Sequence, residues 1–324
     1  YPVASATWAT GPTFPYAGTA WGVGALRAVS GANVWTQSAA GQNLVEFVAG
    51  NDAGIGADSG ASIEIKGVYR PWDGLSTLKT GPGTLIFSSL GDVQGTPNAG
   101  TAALRLNEGT VVFNKAGTDV AVLNNVYVGD GKGGENADVV RYGASAGGNQ
   151  IGDTLSVIVR PSGLLDLATN NKSETISQLG LEEGPAAAGD VATGTGTLTT
   201  TSDIYTLVNG GTTATSPAAS ISGNLSLNNA NRNFNIRKGI GLIDLNVAAA
   251  IVTGGASGAV NKQSPGTLEL SGNNAALATA ITFNEGTLVA GSNNAFGTAV
   301  YTLIEPTNAT LGFIGGVTVA LPSR

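Results

Sequence analysis

One short string recurs through this chain: a glycine, a threonine and an aliphatic residue. It stands at Gly83-Thr84-Leu85, Gly109-Thr110-Val111, Gly196-Thr197-Leu198, Gly266-Thr267-Leu268 and Gly286-Thr287-Leu288. The step from 83 to 109 is 26 residues and the step from 266 to 286 is 20, each the length of one coil of a solenoid. The string opens apolar or alternating runs of three to six residues that end at Gly, Asn, Asp or Pro, which is how short strands read. Further strands are expected at Ser62 to Ile65, Ala103 to Leu106, Val126 to Val128, Leu155 to Val159, Leu164 to Leu167, Tyr205 to Val208, Asn224 to Leu227 and Leu242 to Leu245. Helical periodicity is hard to find.

These observations predict an all-β chain, and within that class a parallel β-helix; the alternative is an antiparallel β-sandwich. A stacked coil explains the 49 glycines, which supply left-handed backbone at turns. It also explains the asparagines, whose side chains form ladders between coils. With coils about 4.8 Å apart the rod would be on the order of 60 Å long. Charged residues are only 11% of the chain and hydrophobic ones 42%, a balance that excludes disorder. No apolar stretch is long enough for a membrane-spanning helix.

Two stretches carry a family resemblance. Leu78-Lys79-Thr80-Gly81-Pro82-Gly83-Thr84-Leu85 and Lys262-Gln263-Ser264-Pro265-Gly266-Thr267-Leu268-Glu269-Leu270-Ser271-Gly272-Asn273-Asn274 resemble the autotransporter-associated β-strand repeat. The second copy runs on to Ile281-Thr282-Phe283-Asn284-Glu285-Gly286-Thr287-Leu288 and Asn294-Ala295-Phe296-Gly297. Lys262-Gln263-Ser264 departs from the usual Lys-Thr-Gly. The resemblance implies a right-handed parallel β-helix, a passenger on a bacterial surface usually carried by a C-terminal membrane barrel. The series of alternating strands that such a barrel needs is not found before Leu321-Pro322-Ser323-Arg324. The expectation is a released passenger, or one held in another way, with Tyr1-Pro2-Val3 as a processed start.

All four tryptophans, Trp8, Trp21, Trp35 and Trp72, fall in the first 72 residues. The chain is therefore divided into residues 1–72, an aromatic cap or subunit contact, and residues 73–324, the β-helical repeat.

Chemistry is narrowed by what is missing. There is no His and no Cys, which excludes Ser-His-Asp and Cys-His catalysis and removes the usual zinc ligands. The net charge is −7, without a basic cluster to hold nucleic acid or an anionic membrane. Asp130, Glu135 and Asp138 are the candidate calcium ligands, in a loop that matches no known calcium motif and reads first as a solvated turn. Glu182-Glu183 reads as a solvated loop, since neighbours on a strand point to opposite faces. No enzyme activity and no cofactor are expected.

The expected function is structural: a secreted protein, extracellular or on a cell surface, that assembles head-to-tail with copies of itself. The candidate interface residues are Trp8, Trp21 and Trp35 near one end and Val317, Val319 and Leu321 near the other. An adhesin that binds glycans or matrix is the alternative.

Overall fold

The computed structural model describes residues 25–36, 44–47, 53–66, 68–71, 76–89, 98–209, 213–252, 258–278, 280–298, 300–303 and 308–319. Trp8, Trp21, Trp72 and Leu321 lie outside the described residues.

The chain is a parallel β-helix. Among the described residues two twelve-stranded sheets run along the helix axis, and each coil gives one strand to each. The first sheet runs from Leu26–Ala28 to Tyr301–Leu303 and the second from Ala32–Thr36 to Ala309–Phe313. Glu174–Ile176, Leu198–Thr200, Asn224–Ser226 and Ala250–Val252 form a third wall over the middle coils, and Leu44–Phe47 pairs with Val68–Pro71. Every strand pairing is parallel, which overturns the β-sandwich alternative. Leu26–Ala28, Ala32–Thr36, Ala53–Ala57 and Ser62–Lys66, which precede residue 72, belong to the same two sheets.

Register turns the repeat into a core. In the second sheet one inward column reads Ile63, Leu85, Val111, Val140, Leu165, Val191, Ile221, Val247, Leu270 and Ala290. All ten are buried. The alternation seen in single strands thus becomes a continuous apolar stripe, each aliphatic chain contributing about 1.5–3 kcal/mol on burial. Two residues on runs a second stripe, Ile65, Phe87, Phe113 and Tyr142. Its ring centroids lie 6.3 Å apart from Phe87 to Phe113, tilted, and 5.9 Å apart from Phe113 to Tyr142, edge to face. The asparagine ladders take two forms. Asn294 donates to the Asn273 side chain at 3.0 Å, while Asn274 spans coils by accepting from Ile251 N–H and donating to the Ala295 carbonyl.

Gly-Thr strings open strands of the second sheet at Thr84–Ser89, Thr110–Lys115 and Thr267–Leu270, and the string at 286 opens Gly286–Ala290. The string at 196 instead leads into Leu198–Thr200 of the third wall. The strand expected at Leu242 to Leu245 begins later, as Leu245–Val247. Asp244 ties the preceding segment into a turn through Gly239 N–H and Thr267 N–H, and Leu242 is left exposed.

Candidate functional site

The corner between the first and second sheets changes character along the rod. Near both ends it is tight and built around a buried lysine. Lys79 Nζ donates to the carbonyls of Thr80, Gly81 and Glu108 at 3.0, 2.6 and 2.9 Å. Lys262 repeats the arrangement, donating to Gln263, Ser264 and Glu285 at 3.0, 2.6 and 2.9 Å. Both ammonium groups are sealed from solvent, and burial pulls each down to about 8. Ser264, at the place that Gly81 holds in the earlier coil, keeps the same left-handed backbone, with φ of 69° against 75°. The lysine caps the open carbonyls of one turn and of the next coil together.

In the middle coils the same corner swells into longer loops, residues 129–137, 184–189, 213–218 and 236–244 among the described residues. Here the sequence-predicted calcium candidates lie: Asp130 neighbours Asp138, while Glu135 acts instead on Asp190. Asp138 is buried and accepts from Ser162 Oγ at 2.6 Å and Gly109 N–H at 3.2 Å. Burial raises it to about 7, against the pull of its hydrogen bonds. Asp130 accepts from the Lys132 N–H at 2.9 Å, and Glu135 is exposed. Among the described residues no three acidic side chains form a metal-binding group.

Glu182 and Glu183 correct the expectation of a solvated loop: both are buried, at the end of Leu179–Glu183. They do point to opposite faces. Glu182 lies 3.7 Å from Arg160 on the outer side, where Arg160 and Arg105 both pack over the Tyr127 ring at 4.8 and 4.4 Å. Glu183 follows the inward positions Leu179 and Leu181, and neither of its carboxyl oxygens has a hydrogen-bond partner. Burial first, then the Asp244 carboxylate, raise Glu183 to about 8. Asp244 is itself sealed and joined to Lys238. The burial of Glu183 alone had a signal in the sequence, as an acidic residue at an inward step of the alternation.

The ends are the other candidate surface. Trp35 stands over Ile65 on an inward column and is 40% exposed. At the opposite end Phe313, in register with Ala290, is 53% exposed, and Leu311, in register with Leu288, is 36% exposed. Val317 and Val319 do not form the outermost surface; both are half-buried against the core. Sequence reasoning missed Leu311 and Phe313, although they repeat the alternation of the buried strands before them. No helix of the described residues is long and apolar enough to cross a membrane. No family model matches the chain, and no curated protein or solved structure matches it.

Proposed function

We propose that the protein is an extracellular structural subunit whose rods join head-to-tail into a surface filament or layer. The reading is carried by the end coils: Leu311 and Phe313 occupy positions that in the preceding coil are buried, yet they are exposed. Among the described residues, Ala309–Phe313 has a paired neighbour on one side only, and so has Ala32–Thr36 at the other end. An apolar stripe ending beside unpaired N–H and C=O groups invites the first coil of another copy. Contact between two different ends does not close on itself and so propagates. The absence of His and Cys, the Lys-capped corners and the family resemblance support a structural role over a catalytic one.

Sedimentation velocity across a dilution series tests the reading. The chain should form species that lengthen with concentration, and L311D combined with F313D should reduce them to monomer while the β-sheet spectrum is kept. Equal monomer content in both proteins at every concentration would overturn it. Glycan adhesion is the second reading, favoured by the exposed Trp35 ring, since aromatic faces stack on sugars. Binding on a glycan array that W35A abolishes without altering sedimentation would favour adhesion over assembly.

A further inference from the structure

We infer that the two ends of the rod fit each other in a single register, with Leu311 of one copy over Gly31 of the next and Gly315 over Trp35; this rests on the end-to-end assembly proposed above. The second sheet keeps one register from Ala32 to Gly312 through all of its pairings. Carried one step further, onto the first coil of another copy, that register sets Leu311 against Gly31, Phe313 against Asn33 and Gly315 against Trp35. These places continue the inward columns of the sheet.

Bulk changes place along the rod, so that each end is large where the other is small. The column that ends in Leu245, Leu268, Leu288 and Leu311 begins as a row of small residues: Gly31, Ala61 and Gly83 stand one place before the paired Ala32, Ser62 and Thr84. Four places along, the aromatic stripe fills the first coils from Trp35 onward, and the last coils carry Ser292 and Gly315, two places after the paired Ala290 and Phe313. At Gly83 a Cβ would meet the carbonyls of Asp58 and Ala61, in the coil before, at 2.3 and 2.4 Å. At Gly31, among the described residues, it would meet nothing within 4 Å. Gly315 lacks the left-handed backbone that calls for glycine, and among the described residues a Cβ there would also meet nothing within 4 Å. A Trp35 ring from another copy explains why that position is small, since extra bulk in a packed layer is destabilising.

Asn33, between the two, already donates its amide to the carbonyls of Ser30, Gly31 and Ser62 at 3.0, 3.2 and 3.1 Å, so Phe313 can cover it without stranding a donor. Other registers fit worse. A slip of one residue turns the apolar side chains of the joint outward. A slip of two sets Phe313 against Trp35, or moves Trp35 on to Val317, which is already half-buried in its own core.

The chain has no cysteine, so disulfide trapping tests the register. Ala32 and Gly312 hold matching places, which the joint would set about 4.8 Å apart, within disulfide reach. Oxidised A32C/G312C should give a reducible ladder of multimers on a denaturing gel. A32C/I314C, whose Cα atoms would lie about 8 Å apart, should give roughly tenfold less, and A32C alone should give no dimer. G315L, placed in the open space at Gly315, should keep the wild-type circular-dichroism spectrum yet need roughly tenfold more protein to form species larger than monomer. Multimers that trap chiefly through A32C/I314C, or that G315L leaves unchanged, would overturn the register while end-to-end assembly stands. Dimers trapped by A32C alone, or wild-type monomer at every concentration in sedimentation, would remove end-to-end assembly and the register with it.

Discussion

A lysine inside an apolar coil is tolerated only if all its protons are taken, and Lys79 and Lys262 each meet that condition with three backbone carbonyls. Replacing Lys262 by Met would leave those carbonyls buried and unpaired. K262M is therefore expected to lower stability by about 1–3 kcal/mol or more, read from urea unfolding. Gly286, at φ 83°, allows the next coil to approach: a Cβ there would meet the carbonyls of Gly266 and Ser264 at 2.5 Å each. G286A should cost roughly 1–3 kcal/mol by the same measurement, through strain and close contact. The Lys-Xaa-Xaa-Pro-Gly-Thr string was legible in the sequence. The job of its lysine was not, because the carbonyls it serves come partly from a coil more than twenty residues away.

Buried ionisable groups also set a pH profile. Asp138, Glu174 and Glu183 are raised by burial to about 7, 7 and 8. Above their ordinary values of 3.8 and 4.5 the folded chain holds protons that the unfolded chain releases, so their contribution is lost as pH rises through that window. Lys79 and Lys262, pulled down to about 8 from 10.5, act in the next window: stability returns as pH rises from about 8 towards 10.5. Scanning calorimetry should therefore give a higher Tm at about pH 5 than at about pH 8. A Tm that rises steadily from pH 5 to 8 would contradict the assignment of these buried carboxyl groups.

Among the elements, the aromatic stripe shows how coils reinforce each other. Phe113 packs between Phe87 and Tyr142, whose hydroxyl donates to the buried Glu174. F113A removes a ring contacted from both sides and should cost about 3–5 kcal/mol in unfolding free energy. L242S, on the exposed turn, should stay within about 0.5 kcal/mol of wild type. Strands with a Gly-Thr start and strict alternation, such as Thr267–Leu270 and Thr110–Lys115, were readable because period-2 patterning and turn residues agree. Leu242 to Leu245 misled because its apolar residues look like a strand, whereas the polar bonds of Asp244 decide the local path. The third wall was legible only in part: Asn224 to Leu227 was expected as a strand and Asn224–Ser226 is one, but strands only three residues long do not declare which sheet they join.

On the scale of the whole molecule, the spacing of Gly-Thr strings pointed to a solenoid, and the register of twelve strands in each sheet makes it one. The Glu183, Asp244 and Lys238 group could not be read in advance, since it joins residues from separate coils through a loop whose path the sequence does not encode locally. The proposed assembly treats a filament as a continuation of the same stacking between copies. The twelve described strands alone span on the order of 50 Å along the axis at about 4.8 Å per coil. Electron microscopy of the purified chain at high concentration tests this most directly. The account predicts unbranched filaments one solenoid wide with an axial repeat of at least roughly 50 Å, absent when Leu311 and Phe313 are both replaced by Asp. Single, separate rods of one subunit's length at every concentration, for the wild-type chain and the variant alike, would contradict it.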